Sequence, residues 1–312
     1  MSSLRRKIRR PFETAAFRCL IAVIPRLPRC VILFQAKIAG LLGSALDLRG
    51  RKIGLANLDV AFGDSKSLAE KKKILRASYT TMIRTFFDVI WFGTNPGKRL
   101  PKYIDLDESM KVMLCHKNQI CITAHFGNWE IVGQLMALKG LPLHSIAMPV
   151  KNPEVNRMLI ERREITGQTI VPRTGALRKL LTVLREGGKA AFLVDQNTDP
   201  NQGGIWADYF GLAVPVTPAP AALAAKTGSE ILMGFCAPQP NGHYRVYITE
   251  TIQPPEMADK EAVPVLTQQI LSAVEREVQR HPEHWLWAYK RWKNIYRKED
   301  ADRYPFYANP MR

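Results

Sequence analysis

A histidine and a glutamate five residues apart, His125 and Glu130, lie in the segment HFGNWE, directly after the apolar run QICITA. A neutral imidazole removes a proton from a hydroxyl that attacks a carbonyl, provided that a carboxylate fixes its tautomer and stabilises the imidazolium. We therefore predict that His125 is a general base and that Glu130 is its partner. Singly, such residues are more often a core histidine and a solvated glutamate, but their joint position at a strand end favours chemistry.

Two other residues of this segment fit the same site. Gly127 lets the backbone turn tightly and leaves room for a substrate. Asn128 is a candidate N-cap and substrate contact at a helix start, whose free N–H groups would face negative charge. A zinc ion is not expected at His125, because helical zinc motifs pair two histidines four residues apart and no second histidine stands at that spacing.

Two further groups of polar residues are candidates for the same site. Asp195 and Gln196 follow the apolar run FLV, at the edge where open α/β sheets bind ligands, although capping of the next turn explains this carboxylate equally well. Arg173 precedes a helix with Thr174 as predicted N-cap, and it suits a phosphate or a developing oxyanion, although a lone arginine is more often a surface charge. Asn128, Arg173, Asp195 and Gln196 are thus the candidate substrate-binding residues.

The segment HPEHWLWAYKRWK interleaves aromatic and basic side chains near the end of the chain. This pattern suits a membrane interface or single-stranded nucleic acid, and the alternative is a core segment with one basic face. The residues concerned are Trp285, Trp287, Tyr289, Lys290, Arg291, Trp292 and Lys293.

The elements that position these candidates alternate between short apolar runs and helix-period segments, which predicts a single α/β domain. Its sheet is expected to be twisted, largely parallel and flanked by helices. Ser67 and Glu70 have the spacing of a capping box at the start of an earlier long helix. The predicted strands are 119–124, 143–150, 189–196, 230–238 and 244–250, and the predicted helices are 129–140, 152–167, 174–188 and 263–282.

Composition indicates an ordinary globular protein, since 46% of the 312 residues are hydrophobic and 23% are charged. The excess of 45 Lys and Arg over 28 Asp and Glu gives a net charge of +17, which favours anionic partners. Five cysteines without a CxxC pair indicate reduced thiols in a cytosolic compartment rather than a disulfide framework or zinc site, and we expect each of them in the core.

Residues 1–50 combine a basic start, MSSLRRKIRRPF, with moderately apolar stretches. Arg18, Pro25, Pro28, Arg29 and Lys37 interrupt the apolar pattern too often for a spanning helix of about 20 apolar residues. Two basic amphipathic helices lying in an anionic membrane interface fit better, and a solvated arm with one core helix is the alternative. Residues 51–298 are then the main domain, and 299–312 are a tail.

Six ordered segments together resemble the bacterial lipid A biosynthesis (lauroyl/myristoyl) acyltransferase family between residues 51 and 298. They are HFGNWE, MPVKNPEVNRMLIERRE, VPRTGALRKLL, LVDQNTDPNQGG, DYFGLAVPVTPAPAALAAKTGSE and PEHWLWAYKRWK. The resemblance implies the H-x4-D/E acyltransferase fold and a monotopic or peripheral position on the cytoplasmic face of the inner membrane. Family members usually begin with a more apolar anchor, and they usually carry a histidine at the position of Tyr289.

The resemblance also implies transfer of a fatty acyl group from an acyl carrier protein thioester, or from coenzyme A, to a hydroxyl of a phosphorylated glycolipid. His125 would be the base and Glu130 its partner, while Arg173 and Asp195 match positions of further functional polar residues. The implied partners are the carrier protein, the glycolipid and an anionic membrane surface, with no nucleic acid, metal or organic cofactor.

Two kinds of alternative stay open. The first is an acyltransferase of the same fold that uses acyl-coenzyme A and another acceptor, namely a phosphatidylinositol mannoside, an ornithine lipid or a lysophospholipid. A catalytically silent basic protein that binds membranes or nucleic acid is the second alternative, and it predicts that His125→Ala leaves function intact.

Overall fold

The computed structural model describes residues 3–115, 117–254 and 261–310, with side chains from residue 9 onward, and shows a mixed α/β fold. Within these residues the strands are β1 (Ile104–Leu106), β2 (Gln119–Thr123), β3 (Leu143–Ala147), β4 (Thr169–Pro172), β5 (Lys189–Leu193), β6 (Ile205–Tyr209), β7 (Leu212–Val216), β8 (Glu230–Pro238), β9 (Tyr244–Ile252), β10 (Asn294–Ile295) and β11 (Asn309–Pro310).

The helices flank the sheet, and several begin where the sequence predicts. Ser67 and Glu70 form the predicted capping box at the start of the fourth helix. The described α-helices are α1 (Ser3–Val23), α2 (Arg29–Leu46), α3 (Leu48–Phe62), α4 (Leu68–Phe92), α5 (Pro96–Tyr103), α6 (Trp129–Leu138), α7 (Pro153–Glu164), α8 (Ala176–Arg185), α9 (Ala219–Thr227) and α10 (Ala262–Arg280). Each strand and helix predicted from apolar patterning from residue 119 onward is present. Most are shorter than predicted, whereas β9 extends further, and β4 and α9 were not predicted.

The main sheet of the described residues has seven strands in the order β1-β9-β8-β2-β5-β3-β4. The five strands from β8 to β4 are parallel to one another, whereas β9 runs antiparallel to β8 and β1 runs parallel to β9. The prediction of a largely parallel sheet is therefore confirmed. Because parallel neighbours end at the same edge, the segments after β2, β3, β4 and β5 meet there.

Alternation along the central strands supplies a hydrophobic core on each face of the sheet. On one face Ile120 and Ile122 of β2 join the buried side chains of α8, α9 and α10. On the other face Cys121 of β2 packs with residues of α4, α6 and α7, including Leu135 and Leu159. The central strands are thus covered on both sides, which fits their nearly continuous apolar sequence.

A hairpin of β6 and β7 lies outside this sheet, and the sequence patterning did not predict it. Phe210 and Gly211 connect the two strands, and both have positive φ angles of 53° and 71°. Two successive residues with positive φ form a two-residue hairpin turn whose twist matches that of the flanking strands. The non-glycine at the first position is fixed by packing, because the ring of Phe210 contacts the rings of Trp287 and Trp292.

The aromatic residues near the end of the chain lie in the core. Trp285, Trp287 and Trp292 are at most 1% exposed. The prediction that these rings form a membrane or nucleic-acid surface is therefore wrong, and the alternative of a core segment is correct. The alternation of aromatic and basic residues does not indicate a surface here, because Arg291 is also fully buried, with its guanidinium over the ring of Tyr209.

The first two helices are separated by a short turn at Pro25–Pro28 and pack against the rest of the fold through Phe17, Ile24 and Ile32. One helix of the described residues, α2, is long and apolar enough to cross a membrane by length and composition, with a mean hydropathy of 1.4. The side chains of Arg5, Arg6 and Lys7 in the basic start lie outside the described ones. The expected boundary at residue 50 falls inside α3.

All five cysteines are free thiols, as expected, but not all lie in the core. Cys236 is buried and Cys115 and Cys121 are half-buried, whereas Cys19 and Cys30 are exposed. The prediction of a core position is wrong for Cys19 and Cys30, because α1 and α2 pack against the protein through one face and these cysteines lie on the exposed face.

Candidate active site

His125 and Asp195 meet because two neighbouring parallel strands end at the same level. Thr123 at the end of β2 is paired with Leu193 at the end of β5. Each strand is followed two residues later by one of the two polar side chains. The site therefore lies at the carboxyl edge of the sheet, where open α/β sheets bind their ligands.

Asp195 is the carboxylate that holds the histidine. Its Oδ1 lies 2.8 Å from His125 Nδ1, and its Oδ2 accepts the backbone N–H of His125 at 2.9 Å and the indole N–H of Trp285 at 2.8 Å. Asp195 is 2% exposed, so three donors around it compensate for its burial. The sequence predicts Asp195 as a substrate-binding residue, whereas in the structure it is the direct partner of His125.

Glu130 does not form the predicted hydrogen bond with His125. It lies in the first turn of α6, and its two carboxylate oxygens accept from Nε and Nη2 of Arg163 on α7 at 2.7 and 2.5 Å. The two side chains are only 15% and 20% exposed. The helix turn after Asn128 directs Glu130 towards α7, so the spacing of five residues does not bring it to the ring.

The environment of His125 alters its protonation. Burial lowers the pKa of His125, but the charge of Asp195, its hydrogen bond and the more distant charge of Glu130 outweigh burial, so that the net pKa is raised. Burial raises the pKa of Asp195, and its interactions with His125 and Trp285 reverse this effect, so that the net pKa is lowered. Glu130 therefore acts on the histidine through its charge, without a hydrogen bond.

The hydrogen bond to Asp195 fixes which ring nitrogen is free. An ionised carboxylate only accepts, so Nδ1 carries the proton and Nε2 keeps its lone pair in the neutral ring. His125 is 21% exposed, and the amide nitrogen of Gln196 lies 3.4 Å from Nε2. Gln196 thus lies next to the nitrogen that is able to act as a base, and its role at the site stays a prediction.

The turn after His125 is held tightly by the neighbouring strand. Gly127 has a φ of 55°, and a Cβ there would lie 1.9 Å from the carbonyl oxygen of Cys236. The N–H of Gly127 donates to His284 O and the N–H of Asn128 donates to Cys236 O, both at 2.9 Å. These two amides are therefore not free to bind an anion, contrary to expectation.

Asn128 belongs to the frame of the site. It occupies the N-cap position of α6 but makes no side-chain cap, and it is completely buried. Its amide donates to Asp88 Oδ2 at 3.4 Å. The prediction of Asn128 as a cap and a substrate contact is therefore corrected, because its side chain points into the fold.

Asp88 on α4 connects this turn to the N-terminal helices. It is 0% exposed, and it accepts from both terminal nitrogens of Arg29 on α2 and from the hydroxyl of Tyr244. Arg84 lies on its other side, with Nε 3.8 Å from Oδ2. Burial alone would lower the pKa of Arg29, and the charge of Asp88 raises it overall, so Arg29 stays a cation inside the protein.

Arg173 lies on the surface at the same edge, after β4. Its guanidinium donates to Gln202 at 2.8 Å and lies 3.8 Å from Met148 Sδ, after β3. Its exposure leaves it available for an anion. The predicted cap at Thr174 is absent, because Gly175 occupies the N-cap position of α8 with a φ of 75° and no side-chain cap is made.

The segment 284–286 supports the site from the other side. Phe126 and Trp285 form an isolated antiparallel bridge, and the N–H of Leu286 donates to His125 O at 3.1 Å. Trp285, Arg163 and Asp88 are thus site residues that sequence reasoning missed. Only for Trp285 was a signal present, since its segment was singled out for its aromatic content.

Comparisons with known proteins agree with a site for acyl transfer. Residues 5–294 match the model of a family described as bacterial lipid A biosynthesis acyltransferase. Over 226 residues the chain is 25% identical to a phosphatidylinositol mannoside acyltransferase of Mycolicibacterium smegmatis, covering 70% of this chain and 72% of that protein. Over 275 residues it is 22% identical to the lipid A biosynthesis palmitoleoyltransferase of Escherichia coli, covering 86% and 87%.

Among solved structures, the chain is similar to a 1-acyl-sn-glycerophosphate acyltransferase from Thermotoga maritima. The match has a TM-score of 0.38 and 15% sequence identity, and it covers 83% of this chain and 99% of that one.

Proposed function

The chain belongs to the bacterial lipid A biosynthesis acyltransferase family, and from this we propose that it moves a fatty acyl group from an acyl carrier protein thioester to a hydroxyl of a lipid A precursor. His125 is the general base in this reaction. The observation that carries the proposal is the bond between His125 Nδ1 and Asp195, which leaves Nε2 as a basic nitrogen at the carboxyl edge of the sheet.

The proposed reaction is a direct attack by the acceptor. Nε2 of His125 removes the hydroxyl proton while the oxygen attacks the thioester carbonyl, and Asp195 stabilises the resulting imidazolium without taking its proton. Collapse of the tetrahedral intermediate breaks the C–S bond, and the thiolate that leaves takes the proton from the imidazolium. The products are the acyl ester and the free thiol, so no enzyme nucleophile, metal or organic cofactor is needed.

Glu130 has a different part in this proposal from the one its spacing indicates. Through its two hydrogen bonds to Arg163 it fixes the start of α6 against α7, and its charge favours the protonated ring of His125. We therefore assign Glu130 as a positioning residue. Gln196, at 3.4 Å from Nε2, marks where the acceptor hydroxyl would enter.

Charge and exposed apolar surface support the choice of partners. The net charge of +17 suits an acidic carrier protein and a phosphorylated acceptor, for which Arg173 is an exposed cation at the edge of the site. The face of α2 turned away from α4 exposes apolar side chains, which supports attachment to the cytoplasmic face of the inner membrane. These residues, the α2 apolar face, are Phe34, Ile38, Leu41, Leu42 and Leu46.

A different acceptor is the second candidate, because one relative is a phosphatidylinositol mannoside acyltransferase. The test is an acyl-transfer assay with detergent-purified protein, with lauroyl, myristoyl and palmitoyl thioesters of carrier protein and of coenzyme A. A tetra-acylated lipid A precursor is compared with a phosphatidylinositol mannoside, an ornithine lipid and a lysophospholipid, and products are identified by mass spectrometry.

Transfer to the lipid A precursor by the wild type, lost in His125→Ala, supports the proposal. His243→Ala is the matched control, since His243 also pairs with an aspartate, Asp105, at 3.2 Å but on the surface. Transfer only to another acceptor overturns the lipid A assignment. Equal activity of wild type and His125→Ala overturns the mechanism.

A further inference from the structure

A cluster of two histidines and a glutamate lies in the turn that follows α10. The ligand atoms of His281, Glu283 and His284 all lie within 4.8 Å of one another. Glu283 Oε1 is 3.8 Å from His281 Nδ1 and 3.7 Å from His284 Nε2. These distances are longer than a hydrogen-bond distance. They are close to the separation of about 3.3 Å that two ligand atoms have around one tetrahedral zinc ion when each lies about 2.0–2.1 Å from the metal.

The hydrogen bonds of His284 are incomplete although its ring is largely buried. Its side chain is 14% exposed and packs edge-on against Phe126, with ring centroids 5.5 Å apart. Within the described residues Nδ1 is buried without a hydrogen-bond partner. The other ring nitrogen of His284, Nε2, faces Glu283 Oε1 at 3.7 Å, and an imidazole nitrogen beside a carboxylate oxygen supplies two of the ligand types that zinc prefers.

The backbone that carries these three side chains is fixed by a hydrogen bond at every carbonyl from residue 282 to 285. Trp287 Nε1 donates to Pro282 O at 2.6 Å and Thr81 donates to Glu283 O at 3.3 Å. The N–H of Gly127 donates to His284 O, and Ser78 donates to the carbonyl of the following residue. A rigid backbone lowers the cost of bringing the three ligands together.

We propose that His281, Glu283 and His284 form a binding site for a divalent transition-metal ion of the zinc type. Two imidazoles and one carboxylate supply three ligands, and water completes a tetrahedral site. His281 and Glu283 are 48% and 39% exposed, so both can rotate towards the ion from solvent. Arg84, a cation whose charge acts on His284, donates its guanidinium hydrogen bonds to the carbonyls of Gly242 and His243.

The site is separate from His125 but supports the same turn. His284 O holds Gly127, two residues from the proposed base, and the next residue donates to Asp195. An ion that joins His281 at the end of α10 to His284 therefore stabilises the segment that braces the catalytic turn. We expect the metal to raise the thermal unfolding midpoint of the full chain, because a ligand that binds only the folded state stabilises it.

The test uses untagged, chelator-treated full-length protein in detergent, titrated with Zn²⁺ alone by calorimetry and in competition with a chromophoric chelator. We expect the wild type and His243→Ala each to bind one equivalent of Zn²⁺. His281→Ala and Glu283→Gln should bind Zn²⁺ more than about tenfold more weakly, since even residues that only orient a metal ligand contribute ~10–100-fold to the affinity. Both of these substitutions are at partly exposed side chains and spare the buried His284.

Substitution of Co²⁺ for Zn²⁺ gives a second readout, since tetrahedral Co²⁺ has intense visible absorption bands that His281→Ala should lose. Saturable binding of the same affinity in wild type, His281→Ala and Glu283→Gln would overturn the site, as would the absence of saturable binding to the wild type. These measurements need no acyl donor or acceptor, so their outcome is independent of the proposed reaction.

Discussion

Asp195 holds His125 at two points, since its Oδ1 bonds the ring Nδ1 at 2.8 Å and its Oδ2 accepts the backbone N–H at 2.9 Å, across 70 residues of sequence. The first contact fixes the tautomer and the second fixes the position of the strand end that carries the ring. Asp195 therefore orients the proposed base as well as stabilising its charge, and the predictions below separate its role from that of Glu130.

We predict that Asp195→Asn lowers kcat by about 10²–10⁴, the range of general acid–base catalysis, because an amide can present its N–H to Nδ1 and reverse the tautomer. Asparagine keeps the shape of the side chain, so the fold should be retained by circular dichroism. Kinetics with a saturating acceptor measure the effect. An unchanged kcat would show that the ring does not depend on this contact.

The pH dependence should distinguish the two carboxylates. A base must be neutral, and the raised pKa of His125 keeps it protonated to higher pH, so kcat/KM should rise with pH and reach half its plateau above ~6.5. Removing the charge of Asp195 lowers this pKa and shifts the acid limb to lower pH. Glu130→Gln should shift it in the same direction but less, because Asp195 has the larger effect. A larger shift in Glu130→Gln would restore Glu130 as the main partner.

The ion pair between Glu130 and Arg163 should contribute measurably to the free energy of unfolding. Breaking a fully buried ion pair by removing one partner costs ~3–5 kcal/mol and an exposed pair contributes ~0–1 kcal/mol. Because this pair is partly buried, we expect Glu130→Gln and Arg163→Met each to lower the free energy of unfolding by about 2 kcal/mol. The double variant should lose less than the sum, because neither charge is then left alone. Denaturant titrations of all four proteins give the coupling energy, and strict additivity would contradict the pairing.

Asp88 should be more important to the fold than its distance from the ring indicates. Asp88→Asn leaves the buried cations Arg29 and Arg84 without a carboxylate, and we expect a loss of ~3–5 kcal/mol together with reduced acyl transfer. Asp59→Asn is the matched control, because Asp59 also bonds a cation, Lys71, but is 62% exposed, which limits the expected loss to ~0–1 kcal/mol. Similar losses in the two variants would show that the buried network around Asp88 contributes no more to the free energy of unfolding than the exposed pair of Asp59 and Lys71.

The α2 apolar face should bind lipid. Transfer of a Phe or Leu side chain from water contributes about 1.5–3 kcal/mol, so Phe34→Ser with Leu42→Ser should weaken binding to vesicles with anionic lipid by at least about tenfold. Val265→Ser on α10 is the control, since Val265 is 58% exposed on the opposite face of the sheet. Sedimentation with vesicles measures the effect, and equal binding of all variants would place the membrane contact elsewhere.

The sequence by itself determined the local structure of this protein. The apolar runs identified the main-sheet strands β2, β3, β5, β8 and β9 but not β4, the capping box fixed the start of α4, and the strand-to-helix change at His125 indicated the candidate site. These features depend on neighbours within a few residues, for which spacing along the chain is also spacing in space.

Only the tertiary structure decided which side chains meet. The partner of His125 is Asp195 rather than Glu130 because β2 and β5 are neighbours in equal register, and strand order is set by the packing of helices on both faces of the sheet. Likewise Trp285 is buried because it pairs with Phe126, donates to Asp195 and packs against Tyr209, all of which are distant in sequence. Strand patterns show where each strand ends, but they contain no information on which ends lie side by side.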